Sequence, residues 1–201
     1  MPIETLFATR LYRKVLPRAT VLNAELSRTC ISIAQEDRAG QRWSKEHGYT
    51  GYTSYASLND LPLRAPVFAD LQKHLDAHVK AFAKSLDFAS AKLALDSLWI
   101  NVMERGGVHT GHIHPHSVIS GTYYVAIPKG AAAVKFEDPR LPMMMAAPAK
   151  KPNAARDNLR FVTVEPVPGT MLLWESWLRH EVPPNAARGP RISLSFNYAS
   201  I

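Results

Sequence analysis

The residues best suited to chemistry in this chain are histidines. Four of the eight, His109, His112, His114 and His116, stand in the run His-Thr-Gly-His-Ile-His-Pro-His. A lone histidine is usually solvated or packed. Four within eight positions, leading into Thr-Tyr-Tyr-Val, favour a shared task. In an extended chain, residues two apart point to the same face. His112 and His114 then aim their rings into one space. Two neutral imidazoles on one face are half of a metal site, and imidazole suits iron, zinc, copper or nickel. A remote third ligand is expected, and His180, in Trp-Leu-Arg-His-Glu-Val, is the candidate. Arg191 follows eleven positions later and opens an alternating segment. A metal with open positions can take an acid through two oxygens, and the far end of that acid then needs a cation. Arginine meets it with a planar, always-charged fork. His74 and His78 are four apart, but Leu75 stands where a His-Glu-x-x-His pattern needs glutamate, so they read as solvated or packed.

The bulk composition permits such a site. At 201 residues the chain fits one domain, with 1–92 a mostly helical N-terminal part and 93–201 a strand-rich core. Hydrophobic residues make up 46% and charged residues 20%, an ordinary globular balance. No apolar run approaches the ~20 residues that span a bilayer. The first residues carry no basic and apolar leader, and Cys30 has no partner for a disulfide, so a cytoplasmic home is the expectation. The net charge of +7 favours anionic partners. Its one cluster, Lys150, Lys151 and Arg156, comes without a nucleic-acid motif, so no nucleic acid is expected. A small carboxylate substrate suits the charge equally well.

The elements that must position these residues follow from periodicity. Residues 3–16 alternate in part and read as a strand closed by Pro17. Residues 19–39 read as a helix that Gly40 ends. Residues 41–62, rich in Gly, Ser, Thr and Tyr, read as connection, with Gly48–Tyr55 a candidate lid. Pro66 to Phe88 keeps Phe68, Leu71, Leu75, His78, Val79 and Phe82 on one helical stripe. Short strands follow at 95–103, 121–127, 133–137, 159–164, 170–174 and 191–198, with the histidine run and residues 177–182 between them. Four prolines between 138 and 157 predict an irregular excursion around Met143-Met-Met145, a second candidate lid. The fold class is therefore α+β: N-terminal helices packed on one sheet of an antiparallel jelly roll.

Three blocks together carry a family resemblance. They are His112-Ile-His114-Pro-His-Ser117-Val-Ile-Ser120-Gly-Thr-Tyr123-Tyr124, Pro168-Gly-Thr-Met-Leu-Leu-Trp-Glu-Ser176-Trp-Leu-Arg-His180-Glu-Val182, and Arg191-Ile-Ser-Leu-Ser-Phe-Asn197. Their order resembles the iron- and 2-oxoglutarate-dependent oxygenases, and most closely a bacterial branch with His-x-His-Pro, Ser-Trp-Leu-x-His and Arg-x-Ser-x-Ser-Phe-Asn. The resemblance covers about half the chain, from Trp99 onward. It implies a double-stranded β-helix, Fe(II), O2 and 2-oxoglutarate as co-substrate, and a hydroxylase activity. It places the metal on His112, His114 and His180 and the co-substrate's distal carboxylate on Arg191. Tyr124 is expected to bond that carboxylate, with Tyr123 as the alternative and Arg188 a weaker rival to Arg191. Asn101, polar inside an apolar strand, needs a partner and is expected to line the pocket.

One departure from the broader superfamily stands out. His114 occupies the place of the usual His-x-Asp carboxylate, which leaves the ligand set without charge. His109 or His116 can replace one of the pair, although Pro115 bends the run. Glu137 and Asp138 are the carboxylate alternatives. Two other functions stay open: a cupin-type metalloenzyme without 2-oxoglutarate, and a non-catalytic jelly-roll binding module. No residue pattern names the substrate, small molecule or protein, and a homodimer is compatible with the sequence.

Overall fold

The computed structural model describes residues 3–89 and 92–201. Met1 and Pro2 lie outside them, as do Ser90 and Ala91 at the expected junction between the helical and strand-rich parts. Two antiparallel sheets face each other. The larger has the order β1 (Tyr12–Val15), β8 (Thr170–Glu175), β5 (Ile119–Ala126), β10 (Arg191–Ser200), β3 (Leu93–Met103), β2 (Gly51–Thr53). The smaller runs β4 (His109–His112), β9 (His180–Val182), β6 (Val134–Glu137), β7 (Phe161–Val164). From β3 onward the chain passes repeatedly from one sheet to the other, so short strands of both sheets share one interior.

Side-chain alternation divides the larger sheet into two faces. Leu98, Ile100 and Val102 of β3, Tyr123 and Val125 of β5, Met171 and Leu173 of β8, and Ile192, Leu194 and Phe196 of β10 form one apolar face. Two helices cover it. They are α1 (Ala19–Glu36), through Leu26 and Cys30, and α4 (Pro66–Ser85), through Phe68, Leu71, Leu75, Val79 and Phe82. The α4 set is the apolar stripe the periodicity picked out, each residue contributing about 1.5–3 kcal/mol on burial. Pro66 sits in the first turn, where its missing N–H costs nothing, and Ala65 before it is extended, as a residue preceding proline prefers. Tyr123 donates its hydroxyl to Asn23 Oδ1 (2.7 Å), and Asn23 donates to the Val125 carbonyl (2.9 Å), pinning α1 to β5. The opposite face looks toward the smaller sheet and holds a second cluster of Met103, Tyr124, Leu172 and Trp174 with Val134, Phe136 and Val182.

Three local expectations are corrected. Of the strand expected over residues 3–16, only Tyr12–Val15 pairs, with β8; alternation earlier in the segment finds no partner. Gly40 does not end a helix. It lies in the first turn of α2 (Arg38–Glu46), whose Asp37 accepts the Gly40 N–H (3.0 Å) as an N-cap. A side chain at Gly40 would collide with Asp37, Ser57 and Tyr52. The supposed connection 41–62 thus holds most of α2, the edge strand β2 and the start of a short helical turn, α3 (Leu61–Arg64). The proline-rich stretch from 138 to 157 is irregular as expected, with 3-10 turns at Leu141–Met143 and Arg156–Asn158.

Candidate metal centre and co-substrate cavity

The three histidines meet between the sheets. His112 ends β4 directly opposite His180 on β9. His114 lies two residues beyond the strand, and its backbone N–H donates to the Ser176 carbonyl (3.0 Å), which ties the histidine run to the β8–β9 turn. One ligand nitrogen from each ring lies within 4.8 Å of the others, with His114 Nε2 and His180 Nε2 3.3 Å apart. Two nitrogens sharing an ion at ~2.1 Å lie roughly 3.0–3.4 Å apart at octahedral or tetrahedral angles. The tautomers suit a metal as well. The Leu178 carbonyl stands 2.9 Å from His180 Nδ1 and the Thr110 carbonyl 2.6 Å from His112 Nδ1. A carbonyl can only accept, so each Nδ1 carries the proton and each Nε2 keeps its lone pair. Burial, reinforced by His112, pushes His180 down to about 3 and His114 down to about 4. These rings stay neutral at physiological pH, as ligands must. The donor set, three imidazoles with free nitrogens, fits a divalent transition metal.

Beyond the histidines the cavity runs between Val134 and Val182 on one side and Thr122, Tyr124, Ser193 and Ser195 on the other, to Arg191. Arg191 is 2% exposed. Its Nε donates to the Ala132 carbonyl (3.1 Å), its Nη1 to Ser193 Oγ (2.9 Å), and its guanidinium stands 5.2 Å from the centre of the Tyr124 ring. No aspartate or glutamate lines the cavity among the described residues. A buried cation without an acid is costly. The Tyr124 hydroxyl and the Trp174 indole N–H are buried with no hydrogen-bond partner among the described residues, and both residues line the same cavity. Ser193 accepts from Arg191 and Ser195 accepts from Asn101 Nδ2 (3.1 Å), so both hydroxyl protons are free to be donated elsewhere. The walls are rich in donors and lack an anion, which suits a ligand that is anionic and rich in acceptors.

The other expected residues are placed as follows. Asn101 does not line the cavity: it accepts from Thr53 Oγ1 (3.0 Å) and donates to Ser195, and reaches the cavity only through that serine. Tyr123 faces α1, and Arg188 is exposed. His116 is exposed at a turn with φ 70°, where Pro115 has bent the run away. Glu137 accepts from Arg179 (3.1 Å) and Asp138 from Arg140 (2.8 Å), and neither joins the histidines. His74 lies outside the cavity, and His78 bonds the Tyr12 hydroxyl (2.7 Å). Ser120 and Ser176 bond each other (2.7 Å), and Ser120 donates to Asn197 (2.8 Å), a buried network beneath the turn that receives His114.

Neither candidate lid contributes a lining residue, but Gly48–Tyr55, built around an edge strand, packs against two residues that do. Tyr55 packs edge-on to Trp99 (5.3 Å between centroids), and Trp99 stands beside His114 (6.0 Å). Residues 139–157 contribute nothing to the lining, and Met143 and Met145 are exposed. Trp99 lines the cavity without having been expected there, and His109, expected only as a replacement ligand, lines it outside the three-histidine group.

Three convergent imidazoles and an acid-free arginine between two antiparallel sheets are suited to a metal ion and an anionic ligand. The family model described as "Putative 2OG-Fe(II) oxygenase" matches residues 97–197, half of the chain, and the protein belongs to that family. It is accordingly a 2-oxoglutarate-dependent dioxygenase, a class that uses Fe(II), 2-oxoglutarate and O2. No curated protein sequence is significantly similar to it. Among solved structures it is similar to a Pseudomonas putida prolyl-4-hydroxylase, with 15% identity, a TM-score of 0.60, and coverage of 96% of this chain and 94% of that one. It is also similar to the epimerase SnoN of nogalamycin biosynthesis in complex with Fe3+, alpha-ketoglutarate and nogalamycin RO (16% identity, TM-score 0.65, 96% and 79% covered). A third is HygX of Streptomyces hygroscopicus with nickel and 2-oxoglutarate bound (16%, 0.58, 96% and 82%). At these identities the likeness is one of fold.

Among the described residues, no helix is long and apolar enough to cross a membrane.

Proposed function

We propose that the chain is a single-domain hydroxylase on a double-stranded β-helix, with residues 1–92 a mostly helical support and 93–201 the jelly-roll core. His112, His114 and His180 hold Fe(II), and Arg191 and Tyr124 hold the distal carboxylate of 2-oxoglutarate. One observation carries this reading: a cavity with three convergent imidazoles at one end and, at the other, a buried, acid-free arginine beside a tyrosine hydroxyl that has no partner among the described residues. The likeness to an epimerase as well as a hydroxylase means that fold alone does not choose the reaction.

When bound, the iron with 2-oxoglutarate and O2 supplies the oxidising power, with the keto acid converted to succinate and CO2 and one oxygen atom passed to a C–H bond. The chain's own residues bind and orient. Arg191 presents two donors in one plane, which sets the direction of the dicarboxylate as well as its charge balance. Tyr124 and Ser193 add donors to the same end. Val134, Val182 and Trp174 keep the middle of the cavity apolar and limit water. No carboxylate stands ready as a general acid or base, so the protein's part is orientation and exclusion. Trp99, backed by the exposed Tyr55, supports presentation of the substrate's C–H bond beside His114.

The test is decarboxylation of 1-14C-labelled 2-oxoglutarate by protein purified without a histidine tag. Release of labelled CO2 with equimolar succinate, dependent on added Fe(II), supports the reading. Metal binding without succinate would defeat it in favour of metal chemistry that leaves 2-oxoglutarate aside.

A further inference from the structure

His109 is the fourth histidine of the cavity, and neither the metal nor the Arg191 grip uses it. It lies three residues before His112 on β4, and its ring centre is 6.5 Å from that of His112. It is not a member of the three-histidine group. Strand register puts it toward the other end of the cavity. His112 and Phe136 both pair with His180, and His109 pairs two residues further on with Val182. Arg191 bonds the Ala132 carbonyl on that same side, just before β6. Burial pushes it down to about 3, and the positive charge of Arg191 is the next cause, ahead of His112 and His114. The ring is therefore neutral beside a buried guanidinium. Its Nε2 lies 3.3 Å from the hydroxyl of Tyr49, and the two rings pack at 5.2 Å between centroids. Tyr49 feels the same guanidinium: burial raises its hydroxyl strongly and Arg191 opposes the rise. Tyr49 comes from the segment between α2 and β2, outside the residues that match the family model.

A phenol is a better proton donor than a neutral imidazole, so Tyr49 donates to Nε2 and the ring proton sits on Nδ1. That nitrogen has no partner among the described residues. His109 then offers the cavity one more N–H donor at the end where Arg191, Ser193 and Tyr124 already offer theirs. We propose that Tyr49 and His109 form an added wall of the pocket for the co-substrate's distal carboxylate, Tyr49 setting the tautomer and His109 Nδ1–H donating to the carboxylate. His109 becomes a specificity residue for dicarboxylic over monocarboxylic keto acids, and Tyr49 a positioning residue acting through it. The inference rests on the proposed use of 2-oxoglutarate.

The experiment loads the protein with Mn(II), under anaerobic conditions, and titrates two keto acids by calorimetry. One is 2-oxoglutarate. The other is 2-oxovalerate, which keeps the chelating end and has a methyl group where the distal carboxylate stood. Variants are His109→Ala, His109→Asn and Tyr49→Phe, with Mn(II) affinity measured separately for each. In the parent, 2-oxoglutarate binds more tightly. In His109→Ala its affinity falls about tenfold or more, the effect of one charged hydrogen bond, while 2-oxovalerate is unaffected, so the selectivity ratio collapses. His109→Asn, which keeps a donor, restores part of the ratio. Tyr49→Phe lowers it by a smaller factor with an unchanged affinity for Mn(II). If both ligands weaken equally in His109→Ala, or neither does, the inference is overturned while the parent's binding of 2-oxoglutarate stands. If the parent itself shows no preference for 2-oxoglutarate, the proposed function falls and this inference with it.

Discussion

His112 and His180 are directly paired residues of two neighbouring strands, with ring centres 4.5 Å apart and both Nδ1 atoms committed to backbone carbonyls. The closeness of the two rings is therefore a property of strand register. A slip by one residue would turn one ring to the opposite face. Since His180 is also the most buried of the three, at 6% exposed, its loss removes a fixed ligand. His180→Ala should abolish stoichiometric Fe(II) binding, measured by metal analysis after gel filtration. The variant should stay folded, losing about 1–3 kcal/mol of the 5–15 kcal/mol typical of a domain. Parent-like metal binding would remove His180 from the site.

Arg191 offers a second test that leaves the metal untouched. Lysine in its place keeps the charge and loses the planar fork, along with the donors to Ala132 and Ser193. Arg191→Lys should weaken 2-oxoglutarate binding by about 1–3 kcal/mol. Mn(II) affinity should hold, because the guanidinium is not a ligand. Equal 2-oxoglutarate affinities in an anaerobic titration would take Arg191 out of the site.

The meeting of the three histidines was legible because two-residue spacing in an extended run survives folding, and the last strand's polar face, Arg191, Ser193 and Ser195, reads directly as a cavity wall. His109 was less legible for a definite reason. Counting back by twos from His112 puts positions 110 and 108 on its face, yet the pairing of β4 with β9 is irregular between His109 and His112, and that irregularity brings His109 to the cavity. Tyr49 gave no signal, since its place depends on α2. That helix, Arg-Ala-Gly-Gln-Arg-Trp-Ser-Lys-Glu, has no apolar stripe to announce it and begins on an Asp37 cap next to a glycine that looked like a stop. Asn101 showed the limit of composition: a polar residue in an apolar strand does need a partner, and Thr53, distant in sequence, supplied it.

The neutral histidines make the metal-free protein acid-sensitive. His180 and His109 are pushed down to about 3 and His114 to about 4, against an unfolded value near 6.5. The unfolded chain therefore binds more protons below that value. Stability is fully present above about pH 6.5 and is lost as the pH falls toward 3–4, at about 1.4 kcal/mol per pH unit for each proton taken up. Urea unfolding of metal-free protein between pH 7 and 4.5 should show this slope, and His180→Ala should flatten it. A parent profile flat across that range would contradict burial of neutral rings. Bound metal adds stability at neutral pH by mass action, so a chelator should lower the Tm most where the rings are unprotonated.

Tyr124 separates binding from stability. Its hydroxyl is buried, has no hydrogen-bond partner among the described residues, and belongs to a ring that lines the cavity beside the Arg191 guanidinium. An unsatisfied buried hydroxyl costs about 1–3 kcal/mol, and removing it relieves that cost. The ring itself packs in the second core cluster, and phenylalanine keeps that packing. Tyr124→Phe should leave the ligand-free protein as stable as the parent or more so, by up to about 1 kcal/mol. The same change should weaken 2-oxoglutarate binding by about 1.5–3 kcal/mol, the range for a hydrogen bond to a charged group, with Mn(II) affinity unchanged. Few buried residues give opposite signs in the two measurements, because most side chains that bind a ligand also support the fold. A destabilised variant would mean that the hydroxyl has a partner within the protein. A variant with parent affinity would mean that the co-substrate does not reach it.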